Sequence, residues 1–129
     1  MSTIKVTNIQ DTAGSNSSTS AEIYSGRAKA WVNFNGTGTV GIRDDFNVNT
    51  IGDNGLGDYT VNFSTALPDS DYVWALNERN DDNNASTQTF SSPAANCETP
   101  SSSSFRFSLI TPVNNAKHDG KYATAVFFR

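Results

Sequence analysis

The chain has a single cysteine, which excludes an intrachain disulfide framework and a thiolate zinc cluster. Charge is scarce too. Asp, Glu, Lys and Arg make up 17% of the residues, against about a quarter in a typical soluble domain. Nine Lys and Arg face thirteen Asp and Glu, for a formal net charge of −4. That balance disfavours a nucleic acid backbone as partner, because such a backbone rewards clustered basic residues. No apolar run approaches the roughly 20 residues of a membrane span, and the first residues lack the basic and apolar regions of a signal peptide. Neither membrane insertion nor a leader is expected.

Ser, Thr and Asn take up the space instead, at about a third of the 129 residues. These short side chains lose little rotamer entropy on ordering and hydrogen-bond readily to backbone in turns and at strand ends. Such a surface suits a β-rich protein that packs against copies of itself or stays ordered outside a cell. A hydrophobic content of 36% is low, yet 11% of the residues are aromatic, eight of them Phe, and these supply a core.

Ile4–Ile9 reads as a short strand or extended arm, Gln10–Ser20 as a linker without any apolar side chain larger than Ala, and Ala21–Gly26 as one helical turn closed by Gly26. From Arg27 the period-two signal begins. Ala28, Ala30, Val32 and Phe34 alternate with Lys29, Trp31 and Asn33 before the Asn35–Gly38 turn. Thr39–Arg43 and Phe46–Ile51 follow, the latter with Phe46 and Val48 on one face, and after a Gly-rich turn comes Tyr59–Phe63. The spacing predicts an antiparallel meander. Pro68 breaks it, Tyr72–Asn77 reads as a buried strand with Trp74 in the core, and Ser86–Ser92 as an edge strand around Phe90. Phe105–Leu109 and Lys121–Arg129 close the set, the last with Tyr122, Val126 and Phe128 on one face. The expected fold is all-β: an antiparallel β-sandwich, jelly-roll-like or meander, over residues 27–129, with an extended N-terminal arm over 1–26.

The block Ser25–Phe63, SGRAKAWVNFNGTGTVGIRDDFNVNTIGDNGLGDYTVNF, resembles a module of tail-fibre-like and other virion structural proteins of marine tailed phages, cyanophages in particular. Its R-A-K-A-W-V-N-F-N-G-T-G-T-V run and D-N-G-x-G-D-Y-T-V-N-F turn and strand carry the likeness, which extends to Ala66–Asp69 and to the opening Ile4–Val6 and Asp11–Gly14. It covers about residues 1–76; Asn77–Arg129 matches no pattern beyond β character. The resemblance implies an appendage, fibre or decoration component of a virion, made in the host cytoplasm and without enzymatic activity.

Motifs of chemistry do not rise above this reading. His118, in Lys117-His118-Asp119-Gly120, reads as a solvated turn histidine, since a triad needs a buried carboxylate and a Ser within hydrogen-bond reach. The pairs Asp44-Asp45, Asp69/Asp71 and Asp81-Asp82 lie in or beside turns, and adjacent strand residues point to opposite faces, so convergent glycosidase carboxylates are not expected. No EF-hand pattern occurs, although Asp81–Asn84 offers oxygens to a hard cation. Asn35–Gly38 lacks the Lys-Ser/Thr tail of a phosphate loop.

The expectation is therefore a non-enzymatic phage virion protein with no cofactor, metal or catalytic residue. It forms a homo-oligomer, a trimer as in fibre-like proteins, bound to other virion proteins of tail, fibre or capsid. Subunit or virion docking is assigned to Ile4, Val6, Ile9, Ile23, Tyr24 and Trp31. A host surface glycan would meet the loop Arg79, Asn80, Asp81, Asp82, Asn83 and Asn84, or the Ser-rich stretch 96–104. The alternatives are a capsid or tail decoration protein binding only virion proteins, and a lectin-like glycan-binding module.

Overall fold

A computed structural model describes residues 1–79, 99–111 and 116–129, together with the backbone of 90–92. Two four-stranded antiparallel sheets pack face to face. In the first, β4 (Gly41–Phe46), β3 (Ala28–Asn35), β10 (Tyr122–Phe128) and β7 (Val73–Arg79) lie side by side; in the second, β5 (Val48–Asp53), β6 (Asp58–Phe63), β9 (Ser104–Ile110) and β8 (Phe90–Ser92). The expected all-β sandwich is what forms.

The core between the sheets is mostly aromatic. Phe34, Tyr59, Phe107 and Phe127 are buried, and Phe63, Tyr72 and Phe105 join them. Most of the close ring pairs meet edge to face, Phe34 with Tyr59 at 5.1 Å and Phe63 with Phe127 at 5.0 Å. Each such pair contributes about 0.5–1.5 kcal/mol beyond its burial. Rings fill the space so fully that β10 turns only Ala123, Ala125 and Phe127 inward, and the larger Tyr122, Val126 and Phe128 face out.

The meander expected over residues 27–63 is not formed. β3 and β4 pair in the first sheet, β5 and β6 in the second, and the chain crosses between them at Asn47. Asn47 sits at φ 57, a left-handed conformation that Asn tolerates better than most residues. Its amide donates to Lys29 O in the first sheet (3.1 Å) and to Thr65 O beyond the second (3.0 Å). Phe46 and Val48, expected on one face, thus end in different sheets, Phe46 exposed and Val48 buried. Tyr72–Asn77 also differs: the strand is Val73–Arg79, among the described residues it pairs only with β10, and most of it is exposed, Trp74 at 41%. An edge strand has no neighbour to cover its far side. Phe90–Ser92 is the expected edge strand, paired with β9 alone among the described residues.

Residues 1–27 lie outside the sandwich and every one is exposed. The expected 4–9 strand is shorter, β1 (Asn8–Gln10), and the 10–20 linker holds local structure. Its strand β2 (Ser17–Thr19) pairs with β1 around a turn in which the Asp11 carboxylate accepts from Ser15 N and Asn16 Nδ2. The helix α1 (Ser20–Gly26) opens on a capping box between Thr19 and Glu22, the reciprocal pairing that satisfies free N–H groups of a first turn.

Candidate functional site

The strand register gives the sandwich two poles. At one lie α1, Asn47, the 64–72 connection and the Ser101–Ser104 turn, with Leu67 N bonded to Ser102 O and Ser64 N to Asn47 O. At the other lie the end of β7 at Arg79, the Gly36–Val40 loop, the Asn54–Gly57 turn and residues 116–121, joined through Gly36 N to Gly120 O and Leu109 N to Gly57 O. Arg79, the described start of the loop assigned to a receptor, therefore sits at the opposite end from α1, whereas Ser101–Ser104, the end of the 96–104 stretch also assigned to a receptor, lies at the same pole as α1. Ile4, Val6, Ile9, Ile23 and Tyr24 are exposed in the N-terminal segment, and Trp31 is half-buried on the outer face of the first sheet. Arg79 is exposed; Asn80–Asn84 and the cation reading of 81–84 lie outside the described residues.

The N-terminal segment meets the body at Lys29. Its Nζ donates to Tyr24 O and, at 3.2 Å, to Arg27 O, and lies 3.6 Å from the Tyr24 ring centroid. These carbonyls at the end of α1 have no intrahelical donor, so a strand lysine caps the helix. Burial, with the like charge of Arg27 behind it, holds the Lys29 ammonium below the usual lysine range. A cleft of about 430 Å³ opens beside it between Tyr24, Arg27, Phe46, Asn47 and Leu67.

The outer face of the first sheet is divided across the strands. One row runs Phe46, Trp31, Val126, Ala75, wholly apolar, over all four strands. Beside it, toward the N-terminal pole, Phe128 pairs with Val73, which is 70% exposed. The next row toward the Arg79 pole runs Asp44, Asn33, Thr124, Asn77, wholly polar. Beyond it cations gather on Tyr122. The guanidinium of Arg43 lies 4.4 Å from the ring centroid, that of Arg79 5.9 Å and the Lys121 ammonium 6.0 Å.

Behind this pole is a buried polar cluster that sequence reasoning missed. Asp58 accepts from Arg106 Nε at 2.9 Å and from Lys117 Nζ at 2.7 Å. Burial alone would raise the carboxyl, but the two cations outweigh it and hold Asp58 below its ordinary value. Tyr59 donates to Gly36 O at 3.0 Å and to Asp119 Oδ1 at 2.8 Å; burial and the Asp119 carboxylate raise its phenol. His118 is not the solvated turn residue expected. Its Nε2 lies 2.6 Å from Glu78 Oε1, with the Glu78 side chain 0% exposed and that of His118 16%. Glu78 Oε2 and His118 Nδ1 are buried without a hydrogen-bond partner among the described residues. These contacts join residues 23 to 60 apart, and nothing local in the sequence marks them.

Compared with protein-family models, with curated proteins and with solved structures, the chain matches none. Among the described residues no group of three His, Cys, Asp or Glu is placed to hold a metal ion, and no helix is long and apolar enough to cross a membrane. The geometry offers surfaces for association: an exposed N-terminal segment beside an apolar row at one pole, and an aromatic platform ringed by cations at the other.

Proposed function

We propose that the chain is a non-enzymatic structural component of a phage virion, a tail-fibre or appendage protein that assembles as a homo-oligomer and turns one pole toward the host surface. One observation carries this reading: the uncovered apolar surface is concentrated at the N-terminal pole, away from Arg79. Ile4, Val6 and Ile9 in the segment and Phe46 and Val73 on the sheet are exposed, and Trp31 and Val126 between them are half-buried. Exposed apolar surface of this kind marks association sites. Sister subunits or a neighbouring virion protein would supply the cover, and the sandwich would project its opposite end. The likeness of Ser25–Phe63 to the phage module agrees with that role.

Deleting residues 1–26 tests it. The truncated chain should fold, because none of those residues contributes to the core, and it should fail to enter particles. Incorporation at the level of the full chain would remove the proposal. Adsorption assays with changes at Arg79–Asn84 then separate a receptor-binding fibre from a decoration protein, whose adsorption those changes leave intact.

A further inference from the structure

We infer that the outer face of the first sheet at the Arg79 pole, built around Tyr122, is a binding site for an acidic glycan. Of nine Lys and Arg in the chain, three converge on this one ring. In a protein of net charge −4 that is a concentration of cations on one ring, with Asp44 one row away at the β4 end. Among the described residues, Arg43 and Arg79 have no carboxylate partner; the ion pairs there use Arg106, Lys117, His118 and Arg129. The Arg43 guanidinium is steered instead by amide oxygens, Asn33 Oδ1 and Asn35 Oδ1, both at 3.5 Å. Its stacking on Tyr122 holds the fork in place without neutralising it, so donors stay available to an incoming anion.

The neighbouring row supplies the rest of the chemistry. Asn33, Asn77 and Thr124 present amides and a hydroxyl one row from the ring. Sugar recognition uses such a set: an aromatic surface, short polar groups for hydroxyls, and cations for the acid substituent. A nucleic acid fits less well, because its affinity comes from neutralising many phosphates along a basic track, and only three cations lie here. The inference rests on the reading that this pole faces outward, and it supplies the ligand class which that reading leaves open. Uronate and sulfate are the two sources of the acid group.

The test is binding of the full soluble chain to immobilised polygalacturonate, dextran sulfate, neutral dextran and duplex DNA, at low and raised salt. Retention on at least one acidic polysaccharide is expected, weakening with salt, with none on neutral dextran; whichever polymer is held identifies the acid group. Arg43→Ala and Arg79→Ala should each lower affinity about tenfold, the scale of one charge-assisted contact. Lys5→Ala, an equal change of charge in the N-terminal segment, should leave binding unchanged. Thermal melting of each variant checks that the fold survives. Loss of binding in Lys5→Ala equal to that in Arg43→Ala, no retention on either polyanion, or stronger retention on DNA overturns the inference. Failure of the truncated chain to enter particles bears on the assembly reading alone, since this binding is measured without particles.

Discussion

Asn47 and Thr65 hold each other twice across the sheet crossover: Thr65 N donates to Asn47 Oδ1 at 2.8 Å, and Asn47 Nδ2 donates to Thr65 O at 3.0 Å. The same Nδ2 reaches Lys29 O, so one side chain ties the start of β3 to the chain leaving β6. Asn47→Ala removes these bonds and leaves a Cβ residue in the left-handed region without the amide that compensates. The expected cost is about 4 kcal/mol, at about 1 kcal/mol for each of the three hydrogen bonds plus about 1 kcal/mol for the left-handed backbone. Asn47→Gly, which removes the strain but not the loss of bonds, should cost less. Denaturant midpoints at unchanged m-value measure both, and equal costs would show that backbone strain plays no part.

Gly57 and Gly38 have nearly the same φ, +61 and +64, in different surroundings. A Cβ on Gly57 would meet His118 O at 2.5 Å and Leu109 O at 2.8 Å, backbone atoms that cannot step aside; on Gly38 it would meet nothing within 4 Å. Gly38→Ala should therefore cost about 1 kcal/mol, the left-handed penalty alone, and Gly57→Ala about 3 kcal/mol or more through overpacking. Thermal unfolding of the two variants should rank them in that order.

Asp58 sets a dependence of stability on pH. Its folded pKa lies below 3.8, so its contribution is fully present well above that value. It is lost as pH falls through 3.8 toward the lower folded value. Asp58→Asn should cost about 3 kcal/mol at pH 7, where Arg106 and Lys117 lose their counter-charge, and progressively less in acid. Urea titrations at pH 7 and pH 3 test the convergence; a constant difference between variant and parent would exclude it.

Val126 lies mid-row on the outer face, between Trp31 and Ala75. Val126→Glu should leave the fold within about 1 kcal/mol of the parent, as an outward substitution does, while shifting sedimentation from oligomer to monomer. A parent chain that sediments as a monomer at micromolar concentration would remove this use of the face.

Much of the fold is legible in the sequence, for a physical reason. Ala28–Phe34, Tyr59–Phe63 and Phe105–Leu109 alternate because one face of each meets the opposing sheet, and period-two patterning reports that contact directly. Two features escape it. The turn from one sheet to the other at Asn47 needs a single left-handed residue, which leaves no periodic trace. The inward face of β10 is the less bulky one, because rings from Phe34, Tyr59 and Phe107 already occupy the space, so size alone favours Tyr122, Val126 and Phe128. The Tyr122 platform is hidden likewise: Arg43, Arg79 and Tyr122 stand on three strands that only the register brings together. The hint available is scarcity, since in a chain with few cations their positions on outward-facing strand sites repay inspection.

The first sheet ends on β4, whose outer edge carries Arg43, Asp44 and Asp45 in succession. An unpaired strand edge invites the edge of another molecule, and consecutive charges make that approach unfavourable. Copies brought together as proposed above would then meet through their faces rather than along this edge. Should the chain assemble in that way, the guarded rim of β4 steers its copies toward face-to-face contact.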